Sequence, residues 1–275
     1  MSNFLITHYH RAGSTLLQHL LGSHDEVVCY FRPFGNDLYG YDGSQPNKDP
    51  TISSTENFFD WIYIKKDDNR LQKIKNLKFY NVAIDDIRDN FNNPIQILDW
   101  LYENNSDKIK SIGVKYSFGE FEKYKNLLSY VKENKTKVII IKRRNLLEQV
   151  YSHIKASHQN EWVIFENEDD TLAPQMVINI DYDECLKRFH EIEKYNNIYT
   201  RRMPQFLEIF YEDLIDNRDE KLREVFNYIG VEYDSNNFIP HIPNKMNISR
   251  MENVIENYYD LKNKFKNTKY YEFFN

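Results

Sequence analysis

The chain has 275 residues, 28% of them charged and 41% hydrophobic, which suits one large globular domain and not a membrane-embedded protein. Its formal net charge of −6 argues against nucleic acid as a partner, because a phosphate-backbone binder needs a basic surplus, yet a small anion needs only a local cluster of donors. Two cysteines, Cys29 and Cys185, are too few for a disulfide framework or a Cys-rich zinc site.

The N-terminal run MSNFLITHYH lacks the charged and long apolar regions of a signal peptide, and no apolar run approaches the ~20 residues of a membrane span. The expected compartment is the cytoplasm.

In chain order, FLIT (4–7) has the length and β-preference of a buried strand. It runs into HYHRAGST and then a helical face of Leu16, Leu17, Leu20 and Leu21. VVCY (27–30) is the second strand signal. Residues 32–93 break the rhythm with turn-rich stretches and the aromatic patch FFDWIY, and are expected to form an insertion beside the sheet. Pro94 in a first turn precedes Ile95, Leu98, Leu101 and Tyr102 on one helical face. IGVK (112–115) reads as the third strand, and Phe121, Tyr124, Leu127, Leu128 and Val131 then repeat at helical spacing. VIIIK (138–142) is the fourth strand, followed by Leu146, Leu147, Val150, Tyr151 and Ile154 at helical spacing. Residues 159–181 are polar and expected to form a second insertion. Leu186, Phe189, Ile192 and Tyr195 mark another helix, FLEIFY (206–211) a fifth strand, and Leu222, Val225, Phe226 and Ile229 a further helix closed by Gly230. Strands alternating with helices predict βαβ units: one α/β domain over 1–275, with a central parallel sheet flanked by helices.

Two stretches carry chemistry. In HYHRAGST, Gly13 lets the backbone turn tightly, and Ser14 and Thr15 open a helix whose free N–H groups and dipole favour an anion. Arg11 adds a planar fork of donors. The stretch lacks the first Gly and the Lys of G-x-x-x-x-G-K-[ST], which removes the usual Mg²⁺-triphosphate reading. By itself it is equally an ordinary helix start. The second stretch, VIIIKRRNLLEQVYS, is a buried strand ending in positive charge rather than in a metal-binding Asp. Asn145 is a good N-cap with Glu148 three places on, and Arg144 and Ser152 could converge on a second phosphate without a metal.

The pair RAGSTLLQHLLGSH and RRNLLEQVYSHIKA resembles the sulfotransferases that use 3′-phosphoadenosine 5′-phosphosulfate (PAPS). FYEDLIDNRDEKLREVFNYIGVE resembles that family's Tyr-Glu-Asp-Leu strand and following helix, and the C-terminal NKMNISRMENVIENYYDLKNKFKNTKYYEFF resembles the C-terminal segment of its bacterial and phage carbohydrate-sulfotransferase-like members. The resemblance implies a P-loop-NTPase-like three-layer fold and PAPS as donor, with PAP as product. It assigns the 5′-phosphosulfate loop to Arg11, Ala12, Gly13, Ser14 and Thr15, with Arg11 in the place of the family's catalytic Lys. Arg144 and Ser152 take the place of the 3′-phosphate site. The acceptor is expected to be a carbohydrate or a small hydroxylated or amine-bearing metabolite. A general base, usually His or Glu in the family, has no clear counterpart: Arg32 stands near the place of a usual Glu. His8, His10, Glu26, Asp37 and Lys115 all stand as candidates. Two rival classes remain at this point, a non-catalytic PAP-binding member and a small-molecule kinase. The oligomeric state is not legible.

Overall fold

The five apolar runs become five strands: β1 (Ser2–His8), β2 (Val27–Phe31), β3 (Ser111–Ser117), β4 (Lys137–Lys142) and β5 (Phe206–Phe210). A computed structural model describes residues 2–22, 24, 26–31, 94–103, 109–159, 176–234 and 250–274. The strands form one sheet in the order β2-β3-β1-β4-β5, and every neighbouring pair is parallel. A parallel sheet is covered on both faces, which is why its inner strands read as unbroken apolar runs. Val138, Ile139, Ile140 and Ile141 are accordingly all buried.

The helices are α1 (Ser14–Gly22), α2 (Pro94–Glu103), α3 (Phe118–Lys123), α4 (Leu127–Glu133), α5 (Leu146–Gln159), α6 (Tyr182–Arg202), α7 (Tyr211–Asp216), α8 (Arg218–Ile229), α9 (Met251–Val254) and α10 (Tyr258–Phe265). A 3₁₀ segment, Lys269–Phe274, follows them.

Alternation along β1 divides the core. Phe4 and Ile6 join the leucines of α1 and Val225, Phe226 and Ile229 of α8 on one face. Leu5 joins Leu98 of α2, Phe118 and Phe121 of α3, Leu127 and Val131 of α4, and Tyr199 of α6 on the other. Phe4 and Gly113 are register partners, and the Phe4 ring fills the space beside the glycine: a Cβ at Gly113 would lie 2.1 Å from that ring. Gly230 closes α8 in the left-handed conformation, at φ 81°.

A third cluster lies apart from the sheet. Leu147, Val150 and Tyr151 of α5 pack with Cys185, Phe189 and Ile192 of α6 and with Leu261, Phe265, Tyr270 and Phe274 of the C-terminal segment. The Tyr258 hydroxyl and Lys262 Nζ both donate to the Phe274 carbonyl, at 2.7 and 2.6 Å.

The helical spacing over Phe121–Val131 is shared by two helices. The chain leaves α3 at Tyr124 (φ −112°, ψ 86°) and re-enters a helix after Asn126. Residues 125 and 126 are exposed, while Phe121 and Leu127 on either side are buried. The insertion expected at 32–93 lies outside the described residues. Of the stretch 159–181, the described part includes Ile178 and Ile180, both buried, and Ile178 bridges to Ile255.

Candidate anion site at the carboxyl edge of the sheet

In this strand order the loops after β1 and β4 leave the same carboxyl edge, where α/β sheets bind ligands. The loop after β1 turns sharply. Arg11 has φ 65° and Gly13 φ 92°, both left-handed. Only glycine fits at 13, because a Cβ there would lie 2.3 Å from Cδ2 of Tyr211. The Gly13 carbonyl accepts from Leu17 N–H, which starts α1.

Three side chains from other elements tie this loop down. Arg11 Nε donates to Ser152 Oγ on α5 at 2.9 Å. Gln149 Nε2, one turn earlier on α5, donates to the His10 carbonyl at 2.7 Å. Lys115 Nζ on β3 donates to Thr15 Oγ1 at 3.0 Å. Ala12 and Ser14 are buried between them.

The electrostatics suit an anion. Burial, and then repulsion from Arg143, lower the Arg11 pKa to about 10. Arg143 is itself buried: its guanidinium lies over the Tyr211 ring, 4.5 Å from the centroid, and its Nη2 pairs with Glu148 at 2.6 Å. Two guanidiniums thus approach one another beside a helix N-terminus, an arrangement that an incoming phosphate relieves.

Arg11 and Ser152 therefore meet, and Gly13, Ser14 and Thr15 form the loop around them. Arg144 is placed differently. Its guanidinium is half exposed, lies over Phe210 and grips Asp213 of α7 with both Nη atoms, at 2.6 and 2.9 Å. That pairing raises the Arg144 pKa and lowers that of Asp213. Glu212 accepts from the backbone N–H groups of Arg144 and Asn145, so the Tyr211-Glu212-Asp213 stretch supports the second loop as well as starting α7. Asn145 caps α5 as its sequence predicts, accepting from Glu148 N–H at 3.2 Å, while the Glu148 carboxylate goes to Arg143.

The base candidates separate by position. Glu26 precedes β2, at the amino edge of the sheet, and pairs with Lys110 at 2.6 Å; it stands at the opposite end from the loop. His8 ends β1, is buried, and its Nδ1 lies 3.0 Å from the Tyr9 carbonyl oxygen. His10 lies with its ring 6.2 Å from that of His153. Asp37, Arg32 and FFDWIY fall outside the described residues. Arg250 pairs with Glu252 on the surface. Among the described residues no group of three or more His, Cys, Asp or Glu could hold a metal ion, and no helix is long and apolar enough to cross a membrane.

Sequence reasoning passed over Arg143, Gln149 and Tyr211. For Arg143 a signal existed: Ile139 and Ile141 face α1, and the next residue of that parity is Arg143, not Arg144.

A family model described as the sulfotransferase domain matches residues 2–274. The chain belongs to the sulfotransferase family. It is an enzyme of the sulfuryl-transfer class, with PAPS the donor that goes with the family. A sulfotransferase domain from the curacin biosynthetic pathway has a similar fold, at TM-score 0.51 and 16% identity over 98% of this chain and 92% of that one. Two others are more distant: the sulfotransferase domain of the Synechococcus PCC 7002 olefin synthase (TM-score 0.48, 14% identity, 98% and 88% covered) and a sulfotransferase from Alicyclobacillus acidocaldarius (TM-score 0.45, 12% identity, 97% and 92% covered). None of the curated proteins compared matches.

Proposed function

We propose that this sulfotransferase moves the sulfuryl group of PAPS to a hydroxyl or amine of a carbohydrate or small metabolite, in the cytoplasm and without a metal. The observation that carries the reading is the Arg11–Ser152 bond, which joins the two anion loops through one hydrogen bond. Beside that bond lie the start of α1, Lys115, which donates to Thr15, and Arg143, whose charge acts on Arg11; these support an anion-binding reading.

PAPS, when bound, supplies an activated sulfuryl group on its 5′-phosphate. The chain's work is then positioning and charge stabilisation. The loop of residues 12–15 holds the 5′-phosphate. Arg11 would stabilise the charge that develops on the departing oxygen as the S–O bond breaks. Ser152 and Arg144 take the 3′-phosphate, with Arg144 exchanging Asp213 for it. An anion for an anion keeps the fork satisfied, so the exchange costs little beyond reorientation.

Thermal shift separates this reading from its rivals. PAP should raise Tm, with saturation at 100-fold above Kd worth ~2.7 kcal/mol, while Mg-ATP should raise it far less. Stabilisation by Mg-ATP and not by PAP would point to a kinase instead. Arg144→Ala should abolish the preference for PAP over AMP; if the preference persists, the 3′-site lies elsewhere.

A further inference from the structure

The site described so far has donors for the nucleotide, and of the base candidates His8, His10 and Lys115 lie beside it. Among the described residues, Glu120 at the same edge of the sheet is a carboxylate that this site does not use. Ser117 is the last residue of β3 and the register partner of His8, the last residue of β1. Along β3, Ile112, Val114 and Tyr116 enter the core that contains α2, α3 and α4. Lys115 and Ser117 have the opposite parity and turn toward α1, where Lys115 reaches Thr15 at 3.0 Å. Two residues further along a strand is about 7 Å. Ser117 thus stands one pleat beyond Lys115, at the carboxyl end of β3 and beside the end of β1 from which the anion loop leaves.

The Ser117 hydroxyl donates to Glu120 Oε2 at 2.5 Å, and both residues are buried, at 2% and 6% exposure. Ser-x-x-Glu at a helix start is ordinarily a capping box, in which each side chain serves a backbone N–H. Here Ser117 is the N-cap of α3 but its side chain makes no cap bond; it goes to the carboxylate instead. A hydroxyl donating to a carboxylate still has lone pairs with which to accept a second proton.

We propose that Ser117 and Glu120 form the proton relay for the acceptor, with Glu120 as the final base; the proposal rests on the sulfuryl-transfer reading above. As the acceptor oxygen or nitrogen bonds to sulfur, its proton passes to Ser117 Oγ and the Ser117 proton passes to Glu120. The bond between sulfur and the 5′-phosphate oxygen breaks, and its electron pair stays on PAP beside Arg11. Glu120 then returns the proton to solvent. Titratable neighbours of the relay are His8 on β1, Lys115 and Tyr116 on β3, and Tyr124 after α3, with Glu122 of α3 bonded to Tyr195 of α6.

The test measures transfer of labelled sulfate from PAPS to a panel of alcohols and amines, with water included as an acceptor, across pH, in the full chain. PAP affinity and Tm are measured on each variant. Glu120→Gln should keep PAP affinity and Tm while turnover falls ~10²–10⁴-fold and the acidic limb of kcat/KM disappears. Glu120→Asp, which retains a carboxylate, should recover part of the rate and the limb. Ser117→Ala should match Glu120→Gln, and serves alone if Glu120→Gln does not fold. His8→Gln should keep the limb. Turnover of Glu120→Gln within about threefold of wild type overturns the relay, as does loss of the limb in His8→Gln alone. A wild type that binds PAP but transfers to nothing, water included, also overturns it. A wild type that does not bind PAP instead brings down the sulfotransferase reading on which the relay rests.

Discussion

Arg11 combines a left-handed backbone with a desolvated guanidinium, and substitution can separate the two. A non-glycine residue at φ 65° costs on the order of 1 kcal/mol, and the Nε bond to Ser152 is one interaction that offsets it. Arg11→Gly removes the backbone strain and the Ser152 bond together, so stability should stay within about 1 kcal/mol of wild type, yet turnover should collapse. Arg11→Lys keeps the charge and loses the fork, so it should bind PAP within a few fold of wild type and turn over at an intermediate rate. Denaturant melts and single-turnover kinetics on the two variants check this; an active Arg11→Gly would remove Arg11 from the chemistry. At this scale the sequence was half legible. Arg11 and Ser152 could be picked out because charge and hydroxyl stood in tight motifs. Arg143 was overlooked because neighbours in sequence differ in the face they present, and side-chain parity tells them apart where motif spacing does not.

Among the elements, α5 and α6 enclose His153 close to the anion loop. Burial first, then the charges of Arg188, His10 and Arg11, lower its pKa to about 3, against 6.5 in a free chain. Between those values the unfolded chain binds a proton that the folded one refuses. Stability is therefore unaffected above pH 7 and falls as pH drops below about 6.5, by up to about 2 kcal/mol at pH 5 from this group. His153→Gln should remove that component, seen as a flatter pH dependence of the denaturation midpoint; an unchanged slope would assign the acid sensitivity elsewhere. Existence of the strands and of most helices could be read in sequence because apolar period tracks burial. Continuity could not: Phe121 and Leu127 keep helical spacing because both α3 and α4 lie on one core, although the chain turns between them.

For the whole molecule, parallel pairing followed from alternating strands and helices, whereas the order β2-β3-β1-β4-β5 depends on which way each crossover steps and leaves no local mark. The third cluster was equally hidden, since the C-terminal aromatics reveal their partners only in space. Linking that cluster to the sheet is α6, a single helix of 21 residues. Its first half packs Cys185, Phe189 and Ile192 among the C-terminal aromatics. Its second half packs Tyr199 against Phe118 under the sheet, with ring centroids 4.6 Å apart. Such a rod makes the melting of the two clusters cooperative: neither loosens without bending a helix that the other holds straight. Calorimetry should show one transition. Asn197→Pro, at an exposed position between the two halves, costs ~3 kcal/mol in a helix interior and should split that transition in two, the C-terminal cluster melting first. Hydrogen exchange in α5 would then rise along with it, loosening Ser152 from a site to which none of the C-terminal residues belongs.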